Sequence, residues 1–293
     1  MMKLVVLSTS KSWHFQDLVR AAGEHFQVIN YPFENLTATV AADPHQSQLP
    51  QPLIQSDCVI TRVMPPGSLE QVVFRMDVLG TLERLGIPII NSPLAIEISI
   101  DKYRTLSLLA ENQILVPKTA VSQSADLALQ HFEAFNRDVV VKPIFGSMGR
   151  GVERLNCIRQ ARQIFENKQQ AGEVIYQQQF LQHEGFDIRL IVIGETVIGM
   201  KRHSGSGWIT NIAKGGVGES YIPSDHESEI AITAARTVGT FFAGVDLVYQ
   251  KDQSQPFVLE VNACPGWQEI SRVTKIDIAK KFLSALQKHL GRN

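Results

Sequence analysis

Cysteine, net charge and long apolar runs are all scarce in this sequence, and each scarcity removes a class of protein. Only three cysteines occur in 293 residues, Cys58, Cys157 and Cys264, and no two are spaced C-x-x-C. That count argues against a disulfide scaffold or a cysteine-zinc module, and the thiols are expected to be free in a reducing cytoplasm. Acidic and basic residues nearly cancel, leaving a formal net charge of −1. No one-signed field therefore draws the chain to nucleic acid or an anionic membrane. No segment reaches the roughly 18 apolar residues that a membrane helix needs. The opening "MMKLVVLSTSKSW" has too short an apolar run for a secretion signal and lacks a small-residue cleavage site.

What remains is ordinary globular material, 44% hydrophobic and 19% charged, long enough for several lobes. The first third alternates strand and helix patterns: "KLVVLS", "SWHFQDLVRAAGEH", "FQVINY", "DCVITRV", "SLEQVVFRMDVLGTLERLG" and "IPIINS". Alternation of this kind predicts a parallel α/β sheet. "VAADPHQSQLPQPLIQ" reads as a surface loop. Further on, "DIRLIVIGETVIGMKRH" predicts a hairpin turning at Gly-Glu, and "AGVDLVYQ" with "PFVLEVNA" a second pair of strands. The helix "SDHESEIAITAARTVGTFF" is expected between these hairpins. The expected division is an N-terminal α/β domain over 1–93, a central lobe over 94–178 and a C-terminal lobe over 179–293.

The chemistry starts at residues 139–151, "VVVKPIFGSMGRG". The loop is neither a P-loop nor a dinucleotide fingerprint. Gly146, Gly149 and Gly151, with Ser147 among them, offer backbone N–H groups and free close approach, while Lys142 aims a cation at the same space. A phosphate chain fits that combination; a glycine-rich hairpin turn with a surface lysine fits it too. In "FVLEVNACPG", strand alternation sets Val258, Glu260 and Asn262 on one face and Leu259, Val261 and Ala263 on the other. Pairing with "GVDLVY" brings Asp246 alongside. Two carboxylates and an amide oxygen are hard ligands suited to Mg²⁺, although the polar face of a half-solvated hairpin has the same composition. "VIYQQQF" offers the backbone of Gln178 and Gln179 to an adenine edge. "FDIRL" puts Asp187 and Arg189 on one face, as ribose acceptor or phosphate donor. "MKRHSGSGWITNIAKGG" supplies Lys201, Arg202, Asn211 and Lys214, cations and an amide able to hold an acyl phosphate, with Arg202 the preferred candidate.

Taken in order, these residues resemble the ATP-grasp enzymes, and more narrowly the RimK-type α-L-glutamate ligases. The resemblance runs from "DKYRTLSLLAENQILVPKT" to "LEVNACPGWQEI" and "IDIAKKF", nearly the whole chain. It implies an ATP-grasp fold behind the N-terminal α/β domain, with ATP and Mg²⁺ (or Mn²⁺), two ions, as cofactors. By the same resemblance Lys102 and Lys142 contact the ATP phosphates, and Gln178 and Gln179 sit at the adenine hinge. Asp187 and Asn211 match nucleotide contacts, and Asp246, Glu260 and Asn262 match metal ligands. Arg202 and Lys214 are the catalytic candidates. The implied reaction activates a carboxylate as an acyl phosphate, which an amine attacks to give an amide. Its partners are an amino acid, L-glutamate, and a small carboxylate acceptor, in a dimer or tetramer that engages neither nucleic acid nor membrane. Three departures stand out: Gln178-Gln179 replaces a Glu-Tyr pair, Ala213-Lys214-Gly215-Gly216 replaces "HRGG", and Trp267 replaces a smaller aliphatic residue. "TRVMPPGSLEQVVFRMD" resembles a subgroup tied to tetrahydromethanopterin-type cofactor biosynthesis. Two other readings of the same residues are an ATP-binding module without turnover and a small-molecule kinase.

Overall fold

The computed structural model describes residues 1–42, 48–146, 151–205, 207–210, 212 and 215–291. Its first elements are β1 (Met2–Leu7), α1 (Trp13–Ala21), β2 (Phe26–Tyr31), α2 (Gln51–Ile54), β3 (Cys58–Thr61), α3 (Leu69–Arg84) and β4 (Ile89–Ile90). The strands pair in parallel in the order β2-β1-β3-β4. Leu4 and Val6 enter one apolar cluster, and Val5 and Leu7 another. Burial on both faces is why β1 reads as an unbroken apolar run rather than an alternation. Ser68 opens α3 with a capping box closed by Gln71. The stretch expected to be only a surface loop contains α2, whose Leu53 is fully buried; residues 43–47 of it lie outside the described part.

Next come α4 (Pro93–Ile100), α5 (Lys102–Glu111), β5 (Thr119–Ser122), α6 (Ala125–Ala134), β6 (Val139–Val141), β7 (Glu153–Leu155), α7 (Ile158–Gln170) and β8 (Ile175–Gln179). Pro93 opens α4, capped by Ser92, and the Asp101 side chain caps α5. The antiparallel order is β5-β8-β6-β7. Ala128, Phe132 and Phe165 of the two helices pack against Val139, Val141 and Ile175 on one face of it.

The rest comprises β9 (Phe186–Ile193), β10 (Thr196–His203), β11 (Val217–Tyr221), α8 (Asp225–Val238), β12 (Phe242–Tyr249), β13 (Pro256–Asn262), α9 (Gln268–Thr274) and α10 (Ile278–His289). Both expected hairpins form, the first turning at Gly194-Glu195, and they share one sheet ordered β11-β10-β9-β12-β13. Helix α8 therefore lies across a face common to both hairpins rather than between them, packing Ala231, Ala234 and Val238 onto Leu190, Val192, Val245 and Leu247. On the opposite face Ile191, Ile193, Met200 and Phe242 pack with Leu4, Leu18 and Phe282, and α10 closes the chain against α1 and β9. Buried Asn91 links the two regions: its Nδ2 donates to the carbonyls of Phe242 and Ala263 at 2.7 and 2.6 Å. Its Oδ1 accepts from the amides of Phe241 and Phe242 at 2.8 and 3.1 Å. Among the described residues no helix is long and apolar enough to cross a membrane.

Candidate active site

The face of the last sheet that buries Ile191, Met200 and Phe242 at one end changes character along its strands. Two residues from Ile191 stands Arg189, two from Met200 stands Arg202, and four from Phe242 stands Asp246. Strand alternation keeps each on that face. Arg202 of β10 reaches over β9 and grips Asp187 with two parallel hydrogen bonds, Nε to Oδ1 at 2.8 Å and Nη2 to Oδ2. Its Nη2 also lies 2.9 Å from Asp246 Oδ2, and Arg189 Nη1 lies 2.9 Å from Asp246 Oδ1. Burial disfavours the Arg202 charge, but Asp246 and Asp187 more than offset it and hold its pKa above the usual arginine value.

A cleft with about 1030 Å³ of empty space opens over this end, between the two antiparallel sheets. Lys102, Lys142, Gly146, Gln178, Gln179, Asp187, Arg202, Asp246 and Glu260 all line it. Lys142, one residue beyond β6, donates to Gln178 Oε1 at 3.2 Å. Burial lowers its pKa to about 8, against the pull of Glu260, with Lys102 pushing the same way as burial. Lys102, in the first turn of α5, donates to the carbonyls of Ile144 and Gly146, both at 3.0 Å, and so fixes the start of the glycine loop. Its pKa is also lowered, by burial first, with Glu260 opposing. Gly151, at φ +66°, closes the described part of that loop. A Cβ there would meet Pro143 at 3.1 Å in a backbone region that side chains avoid. Ser147 and Gly149 of the loop, and the candidates Asn211 and Lys214, lie outside the described residues.

At the hinge the geometry departs from expectation. Gln179 N donates to Lys118 O at 2.8 Å and Phe180 N to Asp138 O at 3.0 Å, so both amides are spent on neighbouring chain. The Gln178 side chain holds Lys142 and donates to Thr119 Oγ1 at 3.1 Å. Beyond it, Phe180 and Leu181 line the cleft with Val140, Trp208, Val248 and Leu259. Phe180 meets Trp208 edge-on at 5.5 Å, and the Arg154 guanidinium lies 3.5 Å over its ring. These apolar walls went unread in the sequence, where single aromatics flank the glutamine run and "SGSGW" without any period. His183, also in the cleft, has its pKa lowered by burial, with Asp187 opposing, and its Nδ1 accepts from Gly185 N at 3.2 Å.

Asp246 and Glu260 face each other directly across β12 and β13. The expected alternation fails one step away: a register shift sets Leu247 opposite Val258, with Leu259 as the extra residue. Val258 therefore sits in the apolar cluster with Val261, while Leu259 lines the cleft. Asp246 Oδ1 is buried without a hydrogen bond, since nearby Arg189 Nη1 is close but poorly aligned. The Glu260 side chain makes no hydrogen bond or ion pair among the described residues. Asn262 continues the same face, opposite Gly244, but its Oδ1 accepts from Cys264 N at 2.8 Å and it does not line the cleft. Among the described residues no cluster of three or more His, Cys, Asp or Glu side chains is placed to hold a metal. The orphaned Asp246 oxygen and the unpaired Glu260 nonetheless fit a hard cation whose remaining ligands are phosphate and water.

The model of the RimK-like ATP-grasp domain matches residues 99–286. A tetrahydromethanopterin:α-L-glutamate ligase of Methanococcus maripaludis is 31% identical over 290 residues, covering 96% of this chain and 97% of that protein. One of Methanocaldococcus jannaschii is 30% identical, covering 97% and 98%. Among solved structures, the ATP-grasp ligase PsnB with minimal precursor, Mg and ADP superposes with a TM-score of 0.77 at 20% identity, covering 98% of this chain and 97% of that one. The chain belongs to the RimK-like ATP-grasp family, and it is a ligase.

Proposed function

We propose that this enzyme uses Mg²⁺ and ATP to join L-glutamate to a carboxylate-bearing acceptor through an acyl phosphate. The observation that carries the reading is the convergence of Lys102, Lys142 and Arg202 with the Asp246–Glu260 pair on one cleft beside the glycine loop. Glutamate as the added amino acid rests on the two relatives just described, and the acceptor class is a small pterin-like cofactor, an amino-acid derivative or a peptide.

The chain's own residues account for most of the work. The apolar walls from Val140, Phe180, Trp208 and Leu259 suit a flat base, with the backbone after Phe180 rather than that of Gln179 reading its edge. Lys142 and Lys102 lie along the phosphates and neutralise them. Asp246 and Glu260, joined by Asn262 if its Oδ1 turns from Cys264 N, would hold Mg²⁺, two ions in our reading, which would offset charge as two anions approach. A carboxylate oxygen of the acceptor attacks the γ-phosphorus and ADP leaves. The glutamate amine then attacks the acyl carbon, phosphate departs and the amine loses a proton. Arg202, fixed by Asp187, stands where developing negative charge needs a cation, and Lys214 is proposed to assist it.

The proposal is tested by ADP release with Mg²⁺-ATP, L-glutamate and a panel of pterin, peptide and amino-acid acceptors. Acceptor-dependent release with a mass increase of one glutamate residue is expected, and neither should occur with Glu260→Ala. A phosphorylated acceptor accumulating without an amide would make the protein a kinase instead.

A further inference from the structure

Among the described residues Arg62 is a buried cation with no acidic partner. It directly follows β3 and is 4% exposed. Its Nη2 donates to the carbonyl of Pro265 at 2.6 Å, and its guanidinium lies 4.5 Å from the centre of the Trp267 ring. Its Nε–H is buried without an acceptor among the described residues. Burial lowers its pKa to about 10, so the group remains charged at neutral pH. A desolvated charge with unused donors is costly unless something supplies an anion. The small void beside it does not, because its lining is mostly apolar and its polar groups, Thr61 and Asn91, already bond to backbone.

The place of Arg62 in the sheet indicates where the anion enters. In the order β2-β1-β3-β4 the chain leaves β1 toward one edge and β3 toward the other. The switch point thus falls between β1 and β3, and open parallel sheets bind ligands outside the carboxyl ends of their strands at such a point. Arg62 reaches it from β3; residues 8–12 and the first turn of α1 reach it from β1. Ser12 makes no capping hydrogen bond with its side chain and no acidic residue occupies that turn, so the helix dipole favours an anion there. His14 of that turn accepts from Trp267 N at 3.2 Å and is kept neutral, its pKa lowered to about 4 by burial and then by Arg62.

This end of the parallel sheet is one loop away from the ATP cleft. Pro265, held by Arg62, packs against Gly244, beside the Arg189 that pairs with Asp246. We infer that Arg62 and the first turn of α1 form a carboxylate-binding subsite for the amino-acid substrate, gripping a carboxylate that is not activated. That the bound molecule is a substrate rests on the ligase reading; that the subsite binds a carboxylate does not. A carboxylate would accept from the guanidinium edge that now lacks an acceptor, and the molecule carrying it would present its amine toward the cleft.

The test is titration of the protein with L-glutamate, in the presence of Mg²⁺ and a non-hydrolysable ATP analogue, read by calorimetry and by the fluorescence of Trp13 and Trp267. Arg62→Met is expected to weaken L-glutamate at least tenfold and Arg62→Lys several-fold, with affinity for the ATP analogue unchanged in both. Equal L-glutamate affinity in wild type and Arg62→Met overturns the inference, as does a wild type that saturates with neither L-glutamate nor glutarate. Should Arg62→Met fail to fold, Arg62→Lys decides, and unchanged affinity there overturns the inference too. A wild type that binds L-glutamate through Arg62, yet releases no ADP with any acceptor, refutes the ligase reading and leaves the subsite standing.

Discussion

Arg202 and Asp246 meet 2.9 Å apart above β9, although they belong to β10 and β12, strands that do not touch. The same guanidinium holds Asp187, so one buried cation satisfies carboxylates from two strands. Removing it by Arg202→Met strands buried Asp187 and leaves Asp246 with Arg189 alone, and a loss of about 3–5 kcal/mol is expected for breaking such a set. Chemical denaturation measures it. A loss under about 1 kcal/mol, the range of exposed pairs, would mean that the network contributes little to the fold.

Asp246 and Glu260 should be separable from Arg202 by what they bind. Asp246→Asn and Glu260→Gln each remove one negative oxygen from the proposed ligand set. Weakening of Mn²⁺ binding by tenfold or more is expected in each, read by electron paramagnetic resonance in the presence of ADP. Chelation should correspondingly abolish tight ADP binding in the wild type. Unchanged Mn²⁺ affinity in both variants would move the metal elsewhere.

Lys142 gives the cleft a pH dependence with a definite sign. Its pKa of about 8 in the folded protein lies below the ordinary lysine value of 10.5. The unfolded chain therefore binds the extra proton between those pH values, and this residue's contribution to stability rises with pH across that window. Phosphate binding runs the other way, because only the protonated amine neutralises an oxyanion. Affinity for an ATP analogue should fall as pH rises above about 8 in the wild type, and this fall should be absent in Lys142→Met. A wild-type affinity that stays level to pH 10 would contradict the assignment.

Asn91 is expected to matter for stability and not for binding. Its amide spans two backbone carbonyls and two backbone amides of the C-terminal strands. Asn91→Ala leaves these buried groups unpaired at about 1–3 kcal/mol each before relaxation, so a clear drop in thermal midpoint should appear. ATP-analogue affinity of the folded variant should remain that of the wild type.

The parallel N-terminal sheet and both hairpins were legible because local signals specify them: apolar runs and a Gly-Glu turn. Lys142 and the Asp246–Glu260 pair were legible for a related reason, since strand alternation and hairpin pairing place them without long-range knowledge. The bulge at Leu259 was not, because Val258 and Leu259 are both apolar and either could face the core; only register against Leu247 decides. Nor did the sequence disclose the hinge. Whether Gln179 N is free depends on Lys118 lying beside it, 61 positions earlier in the chain. Arg62 is a similar case: a lone arginine after a strand looks solvated until Pro265 and Trp267 close over it.

The most direct test of acyl-phosphate chemistry follows oxygen from the acceptor. With the acceptor carboxylate enriched in ¹⁸O, turnover with Mg²⁺-ATP and L-glutamate should deliver one labelled oxygen to each phosphate released. Phosphate free of label, formed alongside the amide, would contradict activation of the carboxylate by phosphorylation.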